Sequence, residues 1–374
     1  MVSMEELLNL MVQRGGSDLH ISVGSPPRIR VDGKLVDTEH EPLMPEATKK
    51  LVYSVLGADQ VAKFEKNLEL DFSFGVANLG RFRTNAFVQR GTIAAVLRVI
   101  PFEVFDFETI GLPTKVGEWI CNRTSGLVLC TGATGSGKST TLASMVNYIN
   151  EHNQGHIVTI EDPIEFLHQN KGCLINQRGV GGDTHAFGKA LKSVLRQDPD
   201  VVLVGEMRDL ETIEAALTLA ETGHLTFATL HTSDVTQTVN RIVDVFPAHQ
   251  QQQIRTMLSF TLQAIVCQQL VPRQHGKGRA LAAEVMVANP AIRALIRDNK
   301  SHQIMSTIQT GGQVGMRTMN QSLFELYKQG TISFEDAKRH SADEADFDRL
   351  MERHGGGDSR AAGGYAYGGG RRQR

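Results

Sequence analysis

The stretch Gly132-Ala133-Thr134-Gly135-Ser136-Gly137-Lys138-Ser139 constrains this chain more than any other. It fits GxxxxGK[ST], follows the apolar run Leu127-Val128-Leu129-Cys130, and precedes Leu142, Met145, Val146 and Ile149, which share one helix face. A strand, a glycine-rich turn and a helix in that order make a loop whose backbone N–H groups meet phosphate at a helix N-terminus. Lys138 adds a point charge at the β- and γ-phosphates, and the Ser139 hydroxyl can ligate Mg²⁺. Thr134, Gly135, Ser136, Gly137 and Thr140 complete the expected cradle. The motif reads as a nucleotide site.

The rest of the chain sorts around that loop. From about residue 114, strand patterns at 127–131, 156–160, 201–204 and 225–230 alternate with helical patterns at 139–149, 185–195 and 210–221. That alternation argues for a mostly parallel, covered sheet, followed by a helix-rich portion from 248 to about 353. Residues 1–100 read differently, as a small α+β domain. Met4, Leu7, Leu8, Met11 and Val12 mark a helix face ended by Gly15 and Gly16, and Asp32-Gly33 turns a hairpin between Arg28–Val31 and 34–36. Strands at 70–74, 81–87 and 93–100 follow. Residues 101–113, with prolines at both ends, read as a linker. Residues 355–374 hold eight Gly and four Arg without apolar periodicity, so a disordered tail is expected.

Two acidic segments fall just past strands, where an open α/β sheet gathers its ligands. One is Glu161-Asp162-Pro163-Ile164-Glu165; the other is Glu206, after Val201-Val202-Leu203-Val204-Gly205. Hydrolysis needs one carboxylate to orient or deprotonate water and another to support Mg²⁺. Glu165 or Glu161 is favoured for water and Glu206 for metal. His231 and Thr232, at the end of a third strand, can sense the γ-phosphate, with His224 just ahead of that strand. Arg81 and Arg83 share one face of an alternating strand, and Arg98 lies on the next. If they touch nucleotide, they do so across a subunit boundary as arginine fingers, each typically worth 10³–10⁵-fold in rate.

Four boxes in order, GATGSGKST at 132–140, TIEDPIE at 159–165, VGEMRDLETIEAALTLAETGHL at 204–225 and TLHTSD at 229–234, resemble the secretion-ATPase superfamily of P-loop motors. Within it the chain is similar to the type IV pilus retraction ATPases of the PilT/PilU group. The resemblance implies a PAS-like N-terminal domain, a RecA-like ATPase domain and a homohexameric ring that retracts pili with ATP and Mg²⁺. It assigns Lys138 and Ser139 to the phosphates, Glu161, Asp162 and Glu165 to an Asp box, Glu206 to Walker B, and His224 and His231 to a His box. Arg81, Arg83 and Arg98 match the family's trans-acting arginines. An inner-membrane platform protein and a paralogous retraction ATPase are the implied partners, at the cytoplasmic face of the inner membrane. Ala291-Ile292-Arg293-Ala294-Leu295-Ile296-Arg297-Asp298 resembles the retraction subgroup's AIRNLIRE motif, departing at Ala294 and Asp298.

Composition trims the alternatives. Lys+Arg total 39 against Asp+Glu 41, a net charge of −2 that gives no bulk field for nucleic acid, which weighs against a DNA-translocating motor on the same core. No run approaches the ~18 apolar residues of a membrane span, so membrane contact is expected through a partner. Cys121, Cys130, Cys173 and Cys267 form no CxxC pair, so the zinc insertion of pilus-extending relatives has no ligands here. An accessory retraction ATPase, or a nucleotide-gated scaffold with little turnover, is the remaining alternative.

Overall fold

Alternation of buried and exposed residues builds the first sheet. The computed structural model describes residues 2–354, apart from 32, 78, 101–103 and 277, and the 355–374 tail lies outside the described residues. Strands β1 (Asp18–Ile21), β2 (Arg28–Val31), β3 (Lys34–Asp37), β4 (Glu69–Val76), β5 (Gly80–Gln89) and β6 (Thr92–Ile100) form a six-stranded sheet. Its order is β3-β2-β1-β6-β5-β4, with every pairing antiparallel. On β5, Phe82, Thr84 and Ala86 are buried while Arg81 and Arg83 face outward, as a period-2 strand requires. The helix Met4–Gln13, capped by the Ser3 hydroxyl, buries Met4, Leu7, Leu8 and Met11 against this sheet. Val12, expected on the same face, is exposed instead.

The second sheet is built the other way, from strands buried on both faces. It comprises β7 (Gly126–Thr131), β8 (His156–Glu161), β9 (Leu174–Gly179), β10 (Val201–Val204), β11 (Leu225–Leu230), β12 (Leu262–Pro272) and β13 (Arg279–Val287). The order is β13-β12-β7-β11-β10-β8-β9, parallel throughout except for β12 with β13. Every residue of β7, β10 and β11 is buried. One face packs on helices Leu210–Glu221, Val235–Asp244 and Ala248–Thr261, the other on Thr114–Cys121 and Lys138–His152. The pattern is a RecA-like α/β core preceded by a small α+β unit.

Three expectations need correction. The portion after 248 is not simply helical: β12 and β13 make a hairpin that extends the sheet beyond β7. Its near-continuous apolar run carried no period-2 signal because both faces are covered. The expected linker contains a short helix, Phe107–Ile110, capped by Asp106, and its Phe107 ring packs 5.4 Å from Tyr148. The helix expected from 185 starts at Phe187.

Candidate nucleotide site

Register places the ends of β7, β8, β10 and β11 along one edge, because Val204 lies opposite both Ile160 and Ala228, and Leu230 opposite Thr131. The phosphate loop leaves β7 at that edge. Gly137, at φ 90°, caps the helix Lys138–His152, a conformation that strains any residue with a Cβ. Gly132 is held more tightly: at φ 140°, a side chain there would overlap the Gln268 carbonyl oxygen and the Ser136 hydroxyl. The Lys138 ammonium donates to the carbonyls of Gly132 (2.8 Å) and Ala133 (3.0 Å). Burial lowers its pKa, while Glu206 and Glu165 oppose the shift. An ammonium held by weak acceptors beside open loop N–H groups is poised for a stronger anion. The Ser136 hydroxyl is buried without a partner.

A cleft of about 700 Å³ opens over the loop, lined by Thr134, Gly135, Gly137, Lys138, Ser139 and Thr140. Glu161, Asp162 and Glu165 line its far side. Glu161 accepts from the Thr159 hydroxyl (2.7 Å) and from the Glu165 backbone N–H (3.2 Å). Burial nevertheless raises its pKa. Gln177 of β9 pins this segment by donating to the Phe166 carbonyl and accepting from the His168 N–H, both at 2.8 Å. Burial pushes the His168 imidazole down to about 4, so it lines the cleft as a neutral ring at pH 7.

Glu206 sits between two nitrogen-bearing side chains. Arg208 Nη2 lies 2.8 Å from one carboxylate oxygen and His231 Nε2 3.2 Å from the other. The Arg208 hydrogen bond holds the Glu206 pKa below the usual range, with His231 adding to the shift. Thr229 of β11 donates to the Gly205 carbonyl at 2.6 Å, locking the two strand ends together. Glu206 is therefore fully ionised and engaged, rather than free to face a cation alone.

The other expected residues separate. Arg83 lines the cleft of its own chain. Arg98 stands directly opposite Arg83 but is engaged by Asp18, Nε to Oδ1 2.7 Å. Arg81 is not among the cleft residues, and its Nε is buried without a partner. His224 is at the wrong edge: it precedes β11, so the length of that strand separates it from His231. Its Nδ1 lies 3.1 Å from both the Thr222 hydroxyl and the Leu219 carbonyl, closing the end of a helix.

Sequence reading also passed over Arg208, His168 and Arg279. Arg208 lies two residues past Glu206, a spacing that carries no signal without a fold. Arg279 reaches the loop, Nη1 to the Gly135 carbonyl 3.4 Å, only because the β12–β13 hairpin folds back over it. In the helix Pro290–Arg297, Arg293 Nη1 donates to the carbonyls of Ser259 (2.7 Å) and Phe260 (2.8 Å).

Comparison with known proteins agrees with this geometry. Residues 2–339 match the family described as "Type II/IV secretion system protein". The chain belongs to that family. Within the type II/IV secretion family, it is 50% identical over 333 residues to the type IV pilus retractation ATPase PilT of Pseudomonas aeruginosa, covering 89% of this chain and 96% of that protein. It is 44% identical to the type IV pilus ATPase PilU of the same organism, covering 93% of this chain and 90% of that protein. The crystal structure of the pilus retraction motor PilT with bound ADP superposes with a TM-score of 0.88 at 50% identity, covering 93% of this chain and all of that one.

Proposed function

We propose that this chain is the subunit of a homohexameric motor that hydrolyses ATP to drive type IV pilus retraction. One observation carries the reading: the Lys138 loop, the Glu161–Glu165 segment and the Glu206–His231 pair converge on a single cleft. Half-identity to PilT over nearly its whole length supplies the mechanical task. Loop N–H groups and Lys138 hold the phosphates. Glu161 and Glu165 flank the place where water must attack, and His231, tied to Glu206, registers loss of the γ-phosphate. Arg83 offers charge from the antiparallel sheet; in a ring, that exposed face is the one an adjoining subunit's loop would meet. Loss of phosphate contacts would let residues 1–100 move as one domain relative to the ATPase domain, to which Phe107 and Leu112 are packed.

The donor set suits Mg²⁺, which takes one or two protein oxygens and keeps water and phosphate oxygens for the rest. The Ser139 hydroxyl and the ionised Glu206 are such donors, and among the described residues no group of three or more His, Cys, Asp or Glu could hold another metal. When bound, the ion neutralises phosphate charge. Among the described residues no helix is long and apolar enough to cross a membrane; a platform protein would supply the membrane contact, at the cytoplasmic face of the inner membrane. A paralogous retraction ATPase is a further partner on this reading.

Phosphate release by the purified full chain with Mg-ATP tests the enzyme, and counting surface pili after gene deletion tests the task. Turnover together with excess, immobile pili is expected. Bald cells would indicate an assembly motor, and ATP binding without turnover would favour the scaffold.

A further inference from the structure

A buried carboxylate outside the cleft joins two parts of the molecule that the reaction would need to move together. Glu284, in the middle of β13, is 1% exposed. Its Oε1 accepts the Val235 N–H at 2.9 Å, and the Met319 backbone favours the charged form of the same carboxylate. Val235 and Met319 are the first residues of the helices Val235–Asp244 and Met319–Lys328. A single side chain therefore serves the N-termini of two helices that are unrelated in sequence, where anionic charge is favoured.

The first of those helices carries the His231 segment at its head. Asp234 caps it through the Gln237 N–H, and Thr238 Oγ1 joins the Asp234 carbonyl and the Thr232 hydroxyl, each at 2.7 Å. The second belongs to a separate apolar cluster with Ile332, Ala337 and Phe347. It is docked on β13 by further bonds beside Glu284: the Ala283 N–H donates to the Ser322 hydroxyl and Arg317 Nε to the Ala283 carbonyl, each at 3.0 Å. Across the sheet, Glu284 lies opposite Cys267, Cys267 opposite Thr131, and Thr131 opposite Leu230. The residues following Thr131 and Leu230 are Gly132, which opens the phosphate loop, and His231.

We propose that Glu284 is a positioning residue, setting His231 against the nucleotide and tying that setting to the C-terminal helices. It touches no nucleotide; it acts through the Val235 helix. Its environment explains why the role suits a carboxylate. Burial and nearby Asp234 raise its pKa, and the Val235 and Met319 backbone groups oppose that rise. A group so costly to bury is unlike the apolar residues around it on β13, and what offsets the cost is the pair of helix N-termini.

The inference rests on the ATPase reading above, and the experiment separates the two. Turnover is measured for the full chain, E284Q, H231A and the double variant, with thermal melting of each. Absence of turnover in the unaltered chain would overturn the function and leave Glu284 without a reaction to serve. Given turnover, E284Q is expected to lower kcat by about 10-fold while KM for ATP stays within about twofold. The double variant should be no slower than H231A, because Glu284 works through that residue. An unchanged kcat, a matching rise in KM, or losses that multiply in the double variant would each overturn the role. Should E284Q not fold, hydrogen exchange on the unaltered chain decides. Peptides spanning Val235 and Met319 should change protection together on adding a non-hydrolysable ATP analogue, and a change at Val235 alone would contradict the link.

Discussion

The six-stranded sheet lays a row of ionic groups across one face, whereas the seven-stranded sheet gathers those of the cleft at one edge. In the first, Arg30, Asp18, Arg98 and Arg83 are successive cross-strand neighbours on β2, β1, β6 and β5. Asp18 is the one carboxylate among three guanidiniums, and Arg83 at the row's end lines the cleft. In the second, strand interiors are largely apolar, Glu284 of β13 apart, and the charges that line the cleft stand where the chain leaves a strand or the loop, at Glu161, Glu206 and Lys138. The edge is crowded and internally paired, which suits chemistry on a bound group. The face is cationic in excess, which suits supplying charge to something that arrives. On the proposed function, bond-breaking belongs to the edge and assistance to the face.

The sharpest way to break that division is at the edge. Lys138→Ala removes the ammonium that replaces loop carbonyls with phosphate, and phosphate release should fall by about 10³-fold or more. Glu206→Gln should slow turnover about 10²-fold, since it deprives His231 and Arg208 of their shared carboxylate; a rate within twofold would remove Glu206 from the reaction. Gly132→Ala tests the loop's shape rather than its charge. The positive φ and the Gln268 carbonyl leave no room for a methyl, so a loss of about 2–4 kcal/mol is expected in denaturant unfolding.

Acid–base behaviour sharpens the contrast, because two buried carboxylates, Asp18 in the first region and Glu161 in the second, shift in opposite senses. Burial acts to raise the Asp18 pKa, but hydrogen bonds from Ser17 and Arg98 hold it below normal. Its contribution to stability is thus present above the unfolded carboxylate value and lost as pH falls through the folded one. Glu161 is raised by burial, so its contribution is present at low pH and lost as pH rises through its folded value. Glu161→Gln should therefore raise the melting temperature by about 1–3 °C at pH 7 and by nothing near pH 4, while slowing turnover. The same difference between variant and unaltered chain at both pH values would contradict the raised Glu161 pKa.

Much of the edge was legible in the sequence, for a physical reason. Phosphate binding needs glycines, a lysine and a hydroxyl within eight consecutive residues, so Gly132 to Ser139 betray it locally. The strands ending at Glu161, Glu206 and His231 were legible because continuous apolar runs mark doubly covered strands. What the sequence concealed lies in contacts between distant segments. Arg279 joins the loop only through the hairpin, and Glu284 joins Val235 to Met319 across 84 residues of chain. His224 was misplaced because adjacency to a strand does not tell which end of it faces the ligand. The arginine row was half legible: alternation gave Arg81 and Arg83 one face, but only register revealed Asp18 occupying Arg98.

Single-turnover phosphate release from Arg83→Ala at saturating Mg-ATP tests the shared use of face and edge most directly. Nucleotide affinity should remain near that of the unaltered chain while release slows about 10³-fold, as for a guanidinium acting on the transition state alone. Release at the unaltered rate would show that the edge works unaided and that the antiparallel sheet takes no part in the chemistry.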